Sequence, residues 1–393
     1  MSILIVTAVF SPEPVVSAKL SEDIANNLSL THDVIVLAPL PTRPFGFKHA
    51  KRNVTNDYEL VNVESFVCPE SNLLGRMFES WSFGRSCVKY IRQNKENIDA
   101  IYMNSWPIFA QYLTINTAKK HNIPITTHIQ DLYPESLLTK LPYLSFVLNL
   151  LILPLDRIVC NKSDKIIAIS ENMKRHIANT RLISLSKITV VQNWQDEENF
   201  VGSEILKDVS EHNLFTFMYL GNIGPVAGVD LLLEAFNIAA LNNCRLIIAG
   251  SGSQKKILQE KVNRMKLNRV EFWDVPNGKV PEIQAQADVM LLPVKRGAAS
   301  SSIPSKLPAY MFSKKPIIAS VDINSDSAIV IEEADAGWIV EPENRVMLID
   351  AMREAFLTEK SQLELKGENG FNFAMKNLSK KNNLSQLVKV ILE

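Results

Sequence analysis

The chain has 393 residues, 46% of them hydrophobic, and its 42 Lys plus Arg are balanced by 42 Asp plus Glu. That length accommodates two domains of about 190 residues, each able to bury its own core, and the charge balance argues against a nucleic-acid partner held by global basicity. The four cysteines, Cys68, Cys87, Cys160 and Cys244, show neither CxxC pairing nor metal-like spacing to histidines, so they read as small core residues in a reducing compartment, with no zinc site.

Met1 leads directly into ILIVTAVF without a basic leader, which predicts a cytoplasmic protein. Residues 3–7 read as a buried strand, and residues 10–17 as a loop with two prolines and no glycine. Leu20, Ile24 and Leu28 then form one helical stripe, and a second strand follows at 34–38. In such strand–helix–strand units ligands meet the chain at the carboxyl ends of the strands, which places Glu13 and Lys19 beside a cleft. Further strands are predicted at 60–66, 100–103, 125–128, 165–169 and 188–191, with helices such as 84–94 and 109–121 between them. This alternation implies a mostly parallel sheet covered by helices. The apolar segment 143–155 is too short to span a bilayer, which needs about 20 residues, but suits contact with a membrane surface.

The polar stretch 192–213 reads as a domain connection, giving domains at 1–192 and 193–369. The second alternating series has strands at 215–220, 245–249, 270–273, 289–292, 317–320 and 338–340, with helices at 230–240 and from 254. A last helix at about 370–393 is expected to pack back on the first domain.

Several loops carry candidate chemistry. After the strand at 290–293 come Lys295, Arg296 and the small-residue stretch from Gly297 through Ser300, Ser301 and Ser302 to Ser305 and Lys306. A helix start there leaves backbone N–H groups unpaired and would suit an anion, although an ordinary capped helix fits the same residues. Gly221-Asn222-Ile-Gly224 and Gly250-Ser251-Gly252 are turns between strand and helix, where glycine permits close backbone approach. His128 and Asp131 lie where a strand meets a helix and would orient or deprotonate a hydroxyl; Asp131 ahead of Pro134-Glu135 equally suits a helix cap. Two basic and aromatic clusters, one with Arg43, Phe45, Phe47, Lys48, His49, Lys51 and Arg52, the other with Arg76, Met77, Phe78, Trp81, Phe83, Arg85 and Lys89, read either as solvated loops or as contacts for anionic headgroups or a lipid pyrophosphate. No DxD pair follows a strand and no GxSxG elbow is present, so a metal-independent site without a cofactor is expected.

These segments together resemble the family-4 retaining glycosyltransferases of the GT-B fold, in the order ILIVTAVFSPE, HIQDLYPES, IIAISENMKRHI, ITVVQNWQDEENF, FMYLGNIG, GVDLLLEAF, LIIAGSGSQ, QADVMLLPV and IPSKLPAYMFSKKPIIAS. The PSK-type helix start is most similar to the branch that assembles bacterial O-antigen, capsule and exopolysaccharide. The resemblance implies an α/β protein of two Rossmann-like domains facing each other across a cleft. It implies a nucleotide-sugar donor, UDP-linked and carrying an N-acetylated amino sugar or deoxysugar, and a lipid-linked or saccharide acceptor at the inner-membrane surface. Gly221, Asn222 and Gly224 would border the donor phosphates, and Gly250, Ser251 and Gly252 the nucleoside. Trp273, Asp274 and Val275 would lie by the base, and Ser300, Ser301, Ser302, Ser305 and Lys306 by the diphosphate and ribose. His128 and Asp131 would sit at the transferred sugar, with Glu13, Lys19 and Arg43 on the acceptor side.

The chain also departs from the family. The expected Arg and Lys of the GNIG turn are Asn222 and Ala227, and the paired glutamates would fall near Ser301 and Ala309. Charge on a leaving diphosphate must be met by placed donors, and Lys295, Arg296 and Lys306 are the candidates. Two rival expectations follow from the departures: a nucleotide-sugar epimerase or hydrolase on the same fold, and a binding subunit that has lost catalysis.

Overall fold

The computed structural model describes residues 1–42, 57–68, 72–104, 107–138, 143, 145–201, 214–225, 227–276, 278–297 and 303–393. The chain divides into two compact units, Met1–Asn193 with Asn383–Glu393, and Trp194–Asn382.

The first unit holds strands β1 Ser2–Val6, β2 Asp33–Pro39, β3 Glu59–Val63, β4 Ala100–Asn104, β5 Ile125–Ile129, β6 Lys165–Ala168 and β7 Ile188–Val190. Its helices are α1 Val16–Ser29, α2 Leu73–Asn94, α3 Ile108–Lys120, α4 Glu135–Leu138, α5 Ser145–Lys162 and α6 Glu171–Arg181. All strand pairs are parallel, in the order β3-β2-β1-β4-β5-β6-β7. Central strands buried on both faces read as continuous apolar runs, and Ile3, Leu4 and Ile5 of β1 are fully buried. One face is closed by α2, α3 and α5, whose Phe83, Cys87, Ile115, Ile152 and Val159 pack with Leu4, Val6 and Met103.

Two helices differ from the sequence expectation for the same physical reason. α2 begins at Leu73, eleven residues before the predicted start, because its first turns carry exposed Leu74, Phe78 and Trp81 and so show no polar outer face. Asn72 caps it by accepting from the Gly75 N–H at 2.7 Å. The apolar segment at 143–155 belongs to α5, which buries Leu148 and Ile152 while exposing Phe146, Leu150 and Leu151. Phe83, read with the basic and aromatic cluster, is instead a core residue.

The second unit holds β8 Phe215–Leu220, β9 Cys244–Ala249, β10 Val270–Trp273, β11 Val289–Pro293, β12 Ile317–Ser320 and β13 Gly337–Val340. Its helices are α7 Val229–Ala239, α8 Lys255–Met265, α9 Val280–Ala285, α10 Lys306–Phe312, α11 Asp326–Glu333, α12 Arg345–Leu357 and α13 Lys360–Asn377. The sheet is parallel, in the order β10-β9-β8-β11-β12-β13. Side chains alternate between its faces. Phe217, Tyr219, Leu246, Ile248 and Leu291 face the layer of α7, α8 and α12, while Met218, Leu220, Ile247, Met290 and Ile317 face α10, α11 and α13.

The C-terminal segment is not one helix. α13 ends at Asn377, and α14 Lys380–Leu392 follows a break in which the Glu197 carboxylate accepts from the Lys380 N–H at 2.7 Å and the Lys381 N–H at 3.2 Å. Only Asn383–Glu393 join the first unit, so α13 does not cross as expected. Close packing holds it in the second unit: a Cβ at Gly367 would come within 2.1 Å of the Lys314 carbonyl oxygen.

Candidate active site

In each sheet the strand order reverses beside the first strand of the unit, at β1/β4 and at β8/β11. Open parallel sheets bind ligands at such switch points, where successive loops leave in opposite directions. In the second unit, pairing between β8 and β11 covers Phe217 and Met218, whereas pairing between β8 and β9 continues to Leu220. Tyr310 of α10 serves the backbone where the strands part: its hydroxyl donates to the Leu220 carbonyl at 2.7 Å and accepts from the Leu220 N–H at 3.0 Å. A buried backbone pair is thereby satisfied without a strand neighbour.

The turn after β8 is held from several sides. Gly221 N–H donates to the Ala249 carbonyl and Ile223 N–H to the Ser251 carbonyl, at 3.0 and 2.8 Å. The Tyr219 hydroxyl donates to the Asn222 carbonyl at 2.6 Å. The glycines serve this internal packing. A Cβ at Gly250 would lie 2.1 Å from the Gly221 carbonyl oxygen, and one at Gly252 would lie 2.3 Å from that of Ile223. The approach that the sequence assigned to a ligand is therefore made, at Gly250 and Gly252, by the chain itself.

At Gly221 the neighbour is Lys306, whose Cε would stand 2.1 Å from a Cβ there. The Lys306 ammonium lies 5.1 Å from the centroid of the Tyr219 ring, a cation–π contact. Burial lowers its pKa from the ordinary lysine value, and no carboxylate pairs with it among the described residues. Tyr219 thus underlies a half-buried cation beside a rigid turn at the switch point, where Tyr310 holds the end of β8. The sequence reading found Lys306 and missed both tyrosines, although Tyr310 falls one helical turn after Lys306, a spacing that shares a helix face.

The other expected residues of this unit are more dispersed. α10 is seven residues long and Ser305 at its start is exposed, with no side-chain capping bond. Lys295 is half-buried, and Arg296 donates to the Pro342 carbonyl at 3.3 Å. Trp273 donates to Glu271 at 2.9 Å, with the Arg245 guanidinium 5.5 Å from its ring centroid. Exposed Asp274 pairs with Lys255 at 2.6 Å, and Lys255 also donates to the Gly250 carbonyl. Val275 packs at the rim of the core, and Gly224 lies by the Asn222 side chain. Ser300, Ser301, Ser302 and Arg43 lie outside the described residues, as does the rest of the first basic cluster.

The first unit corrects the role of His128. Its side chain is fully buried within β5, 2.7 Å from the Tyr102 hydroxyl through Nδ1, and Nε2 is buried without a hydrogen-bond partner among the described residues. Burial pushes its pKa down to about 3, so the ring is neutral at physiological pH and does not face solvent. Asp131, just beyond the strand, is exposed. Glu13 is buried and accepts from the Thr42 N–H at 2.6 Å, which makes it an anchor for the chain after β2, while Lys19 is exposed on α1.

A buried ionic cluster, not foreseen from the sequence, fixes the segment after Asp131. Arg181 donates to Asp156 at 2.6 Å, to both Glu135 oxygens at 2.5 and 2.9 Å, and to the Tyr133 carbonyl. His176 bonds Glu135 at 2.7 Å. Burial works to raise the Glu135 pKa, but the bonds from Arg181 and His176 hold it well below the carboxylate range. Among the described residues no three His, Cys, Asp or Glu side chains gather as metal ligands.

Comparison with known proteins agrees with this architecture. Residues 20–199 match the family described as Glycosyltransferase Family 4, and residues 215–357 match Glycosyl transferases group 1. WbjE of Pseudomonas aeruginosa, described as a probable glycosyltransferase, is 24% identical over 152 residues, 37% of either chain. WcaI of Escherichia coli, described as a colanic acid biosynthesis glycosyl transferase, is 25% identical over 176 residues, 44% of this chain and 42% of that one. These alignments span well under half of either relative. Among solved structures, Anabaena HepE in complex with UDP superposes with a TM-score of 0.73 at 14% identity, covering 100% of both chains. WaaG, a glycosyltransferase involved in lipopolysaccharide biosynthesis, gives 0.67 at 16% identity over 99% of both. The fold is GT-B, and the chain belongs to the family-4 glycosyltransferases, with the Family 4 domain in its first unit and the group 1 domain in its second.

Proposed function

We propose that the chain transfers a sugar from a UDP-linked donor to a lipid-linked or saccharide acceptor in the assembly of a surface polysaccharide. The observation that carries this reading is Lys306: a half-buried ammonium, without a carboxylate among the described residues, laid over Tyr219 at the switch point of the group 1 domain. A cation kept from water and left uncompensated is stabilised by an incoming anion, and a diphosphate supplies one. The UDP complex of HepE supports the choice of nucleotide. The names of WbjE and WcaI support the choice of process.

In this reading the acceptor hydroxyl attacks C1 of the sugar on the face that the diphosphate leaves. The C1–O bond to UDP breaks as the new C1–O bond forms, the acceptor proton passes to a diphosphate oxygen, and the anomeric configuration is retained. The site is metal-independent: Lys306, with Lys295 and Arg296, meets the charge that grows on the leaving group. Asp131 orients the acceptor hydroxyl, and buried His128 braces the strand end from behind.

The test is a panel of radiolabelled UDP-sugars offered to the protein with membrane lipid extract, alongside UDP calorimetry. Lipid-soluble label with UDP release, lost in Lys306→Met, is expected. A wild-type chain that neither binds UDP nor releases it from any sugar would end the proposal. UDP binding without turnover would favour a binding subunit, and turnover without acceptor an epimerase or hydrolase.

A further inference from the structure

We propose that the open edge of the second unit's sheet, along β10, takes up an extended acidic segment of a partner protein as an added strand. β10 ends the strand order of its sheet and pairs on one side only, with β9. The carbonyls of Arg269 and Trp273 accept from the Leu246 and Gly250 N–H groups at 2.9 and 3.0 Å, so the odd-numbered residues of the strand face β9. In a parallel strand each residue directs its N–H and C=O to one side and the next residue directs them to the other. Phe272 therefore turns both backbone groups outward, and Val270 its carbonyl, and none of the three has a partner among the described residues.

An edge of the first unit is managed differently. There β7 is the last strand, and its outward Val190 carbonyl accepts from the Gln386 side-chain amide of α14 at 3.3 Å. β10 has no such cover among the described residues, and its sequence Val-Glu-Phe-Trp lacks the proline or lysine that commonly blunts an exposed edge. Beside it runs a groove of about 470 Å³ between α8 and β10. Val262 of α8 with Val270 and Phe272 of β10 give the groove its apolar lining, and Gln259 and Asn263 add side-chain amides. Side chains of a strand alternate between faces, so every second residue of an added strand would enter the groove while its backbone meets Phe272. Main-chain bonds at the edge and a side-chain groove next to it are the two requirements of recognition by strand addition.

Charge selects the occupant. The chain as a whole is neutral, yet along α8 and the turn into β10 the exposed Lys256, Arg264, Lys266 and Arg269 carry no ion pair among the described residues, and Glu260 is the carboxylate set against them. The neighbouring Lys255, Lys261 and Arg245 are already matched by Asp274, Glu234 and Glu271. This local excess of positive charge attracts an acidic segment. It opposes a second copy pairing β10 to β10, which would bring two like-charged surfaces together. The inference goes beyond the transfer reading and does not rest on it, since the edge is measured with neither sugar nor nucleotide present.

The experiment is fluorescence polarisation of the full chain with labelled peptides across a salt series. One peptide alternates aspartate with valine, a second alternates lysine with valine, and a third is the aspartate peptide with methylated backbone nitrogens. The aspartate peptide is expected to bind wild type and to weaken as salt rises. The methylated form should bind roughly tenfold more weakly, because it cannot donate to the Phe272 carbonyl, and the lysine peptide on the order of a hundredfold more weakly. Phe272→Pro removes an N–H that faces away from β9, a position where a strand tolerates proline, and should weaken the aspartate peptide roughly tenfold. Arg264→Glu/Lys266→Glu/Arg269→Glu should weaken it on the order of a hundredfold. Circular dichroism melts verify that the variants are folded, and the methylated peptide tests the edge on wild type whatever the proline does. Failure of the aspartate peptide to bind wild type, or equal binding by the methylated peptide or by the charge-reversed variant, would overturn the proposal. So would a dimer in sedimentation velocity that Phe272→Pro dissolves, since the edge would then belong to a second copy.

Discussion

Arg181 in the first unit and Lys306 in the second are both cations drawn away from water, and their surroundings differ in one respect. Arg181 has every donor direction occupied by Asp156, Glu135, Thr180 or the Tyr133 carbonyl. Lys306 has a ring beneath it and no carboxylate among the described residues. A saturated buried charge is architecture, since everything it attracts is already in place. An unsaturated one costs stability unless a ligand completes it.

Substitutions can break this contrast. The largest effect is expected for Arg181→Met, which strands Asp156 and Glu135 without a cation and should cost about 3–5 kcal/mol in urea unfolding of the first unit. Lys306→Met should do the reverse, leaving unfolding unchanged or slightly more costly while UDP affinity in calorimetry falls roughly 10- to 100-fold, the worth of a charged hydrogen bond. If Lys306→Met instead unfolds the second unit, the distinction between the two cations fails. Gly250→Ala sharpens the packing claim. Its methyl must displace the Gly221 carbonyl, so about 2–3 kcal/mol of stability should be lost, and UDP affinity should fall only through the shifted turn.

His128 gives a test by pH. Its native pKa of about 3 lies below the ordinary 6.5, so between those values the unfolded chain binds a proton that the native chain refuses. Stability contributed by the neutral ring is complete above pH 6.5 and declines as pH falls, by about 1.4 kcal/mol per unit. Asp156, pushed up to about 6 by burial despite Arg181, slopes the other way below that pH. The difference between wild type and His128→Asn in thermal melts from pH 7 to 5 isolates the histidine, and the variant should show the shallower loss. The smallest effect expected is that of Tyr219→Phe, which removes the bond to the Asn222 carbonyl but keeps the ring under Lys306. About 1 kcal/mol of stability should go, with UDP affinity reduced a few-fold.

The glycine turns show how far the sequence reading reached. GNIG and GSG were recognisable because few residues other than glycine sit between a strand and a helix at those angles. What fills the space they leave was not recognisable. Gly250 and Gly252 make room for the neighbouring turn and Gly221 for a lysine some eighty residues downstream, and no local pattern records such a meeting. The early start of α2 was hidden for a related reason: periodicity detects a helix by the contrast between its faces, and a helix with aromatic residues on its outer face has little.

By itself the sequence determined the two alternating series of strands and helices, the neutral charge that argues against electrostatic capture of nucleic acid, and the strand-end loops where chemistry would gather. Those follow from local rules, because a buried parallel strand must be apolar and a turn must be able to bend. The tertiary structure decided which residues in those loops are spent on the fold and which remain available. It placed His128 in the core beside Tyr102, set Glu13 to hold the Thr42 amide, surrounded Arg181 with partners, and left Lys306 over Tyr219. Whether a polar side chain is satisfied depends on groups that only folding brings within hydrogen-bond distance, far apart as they are along the chain.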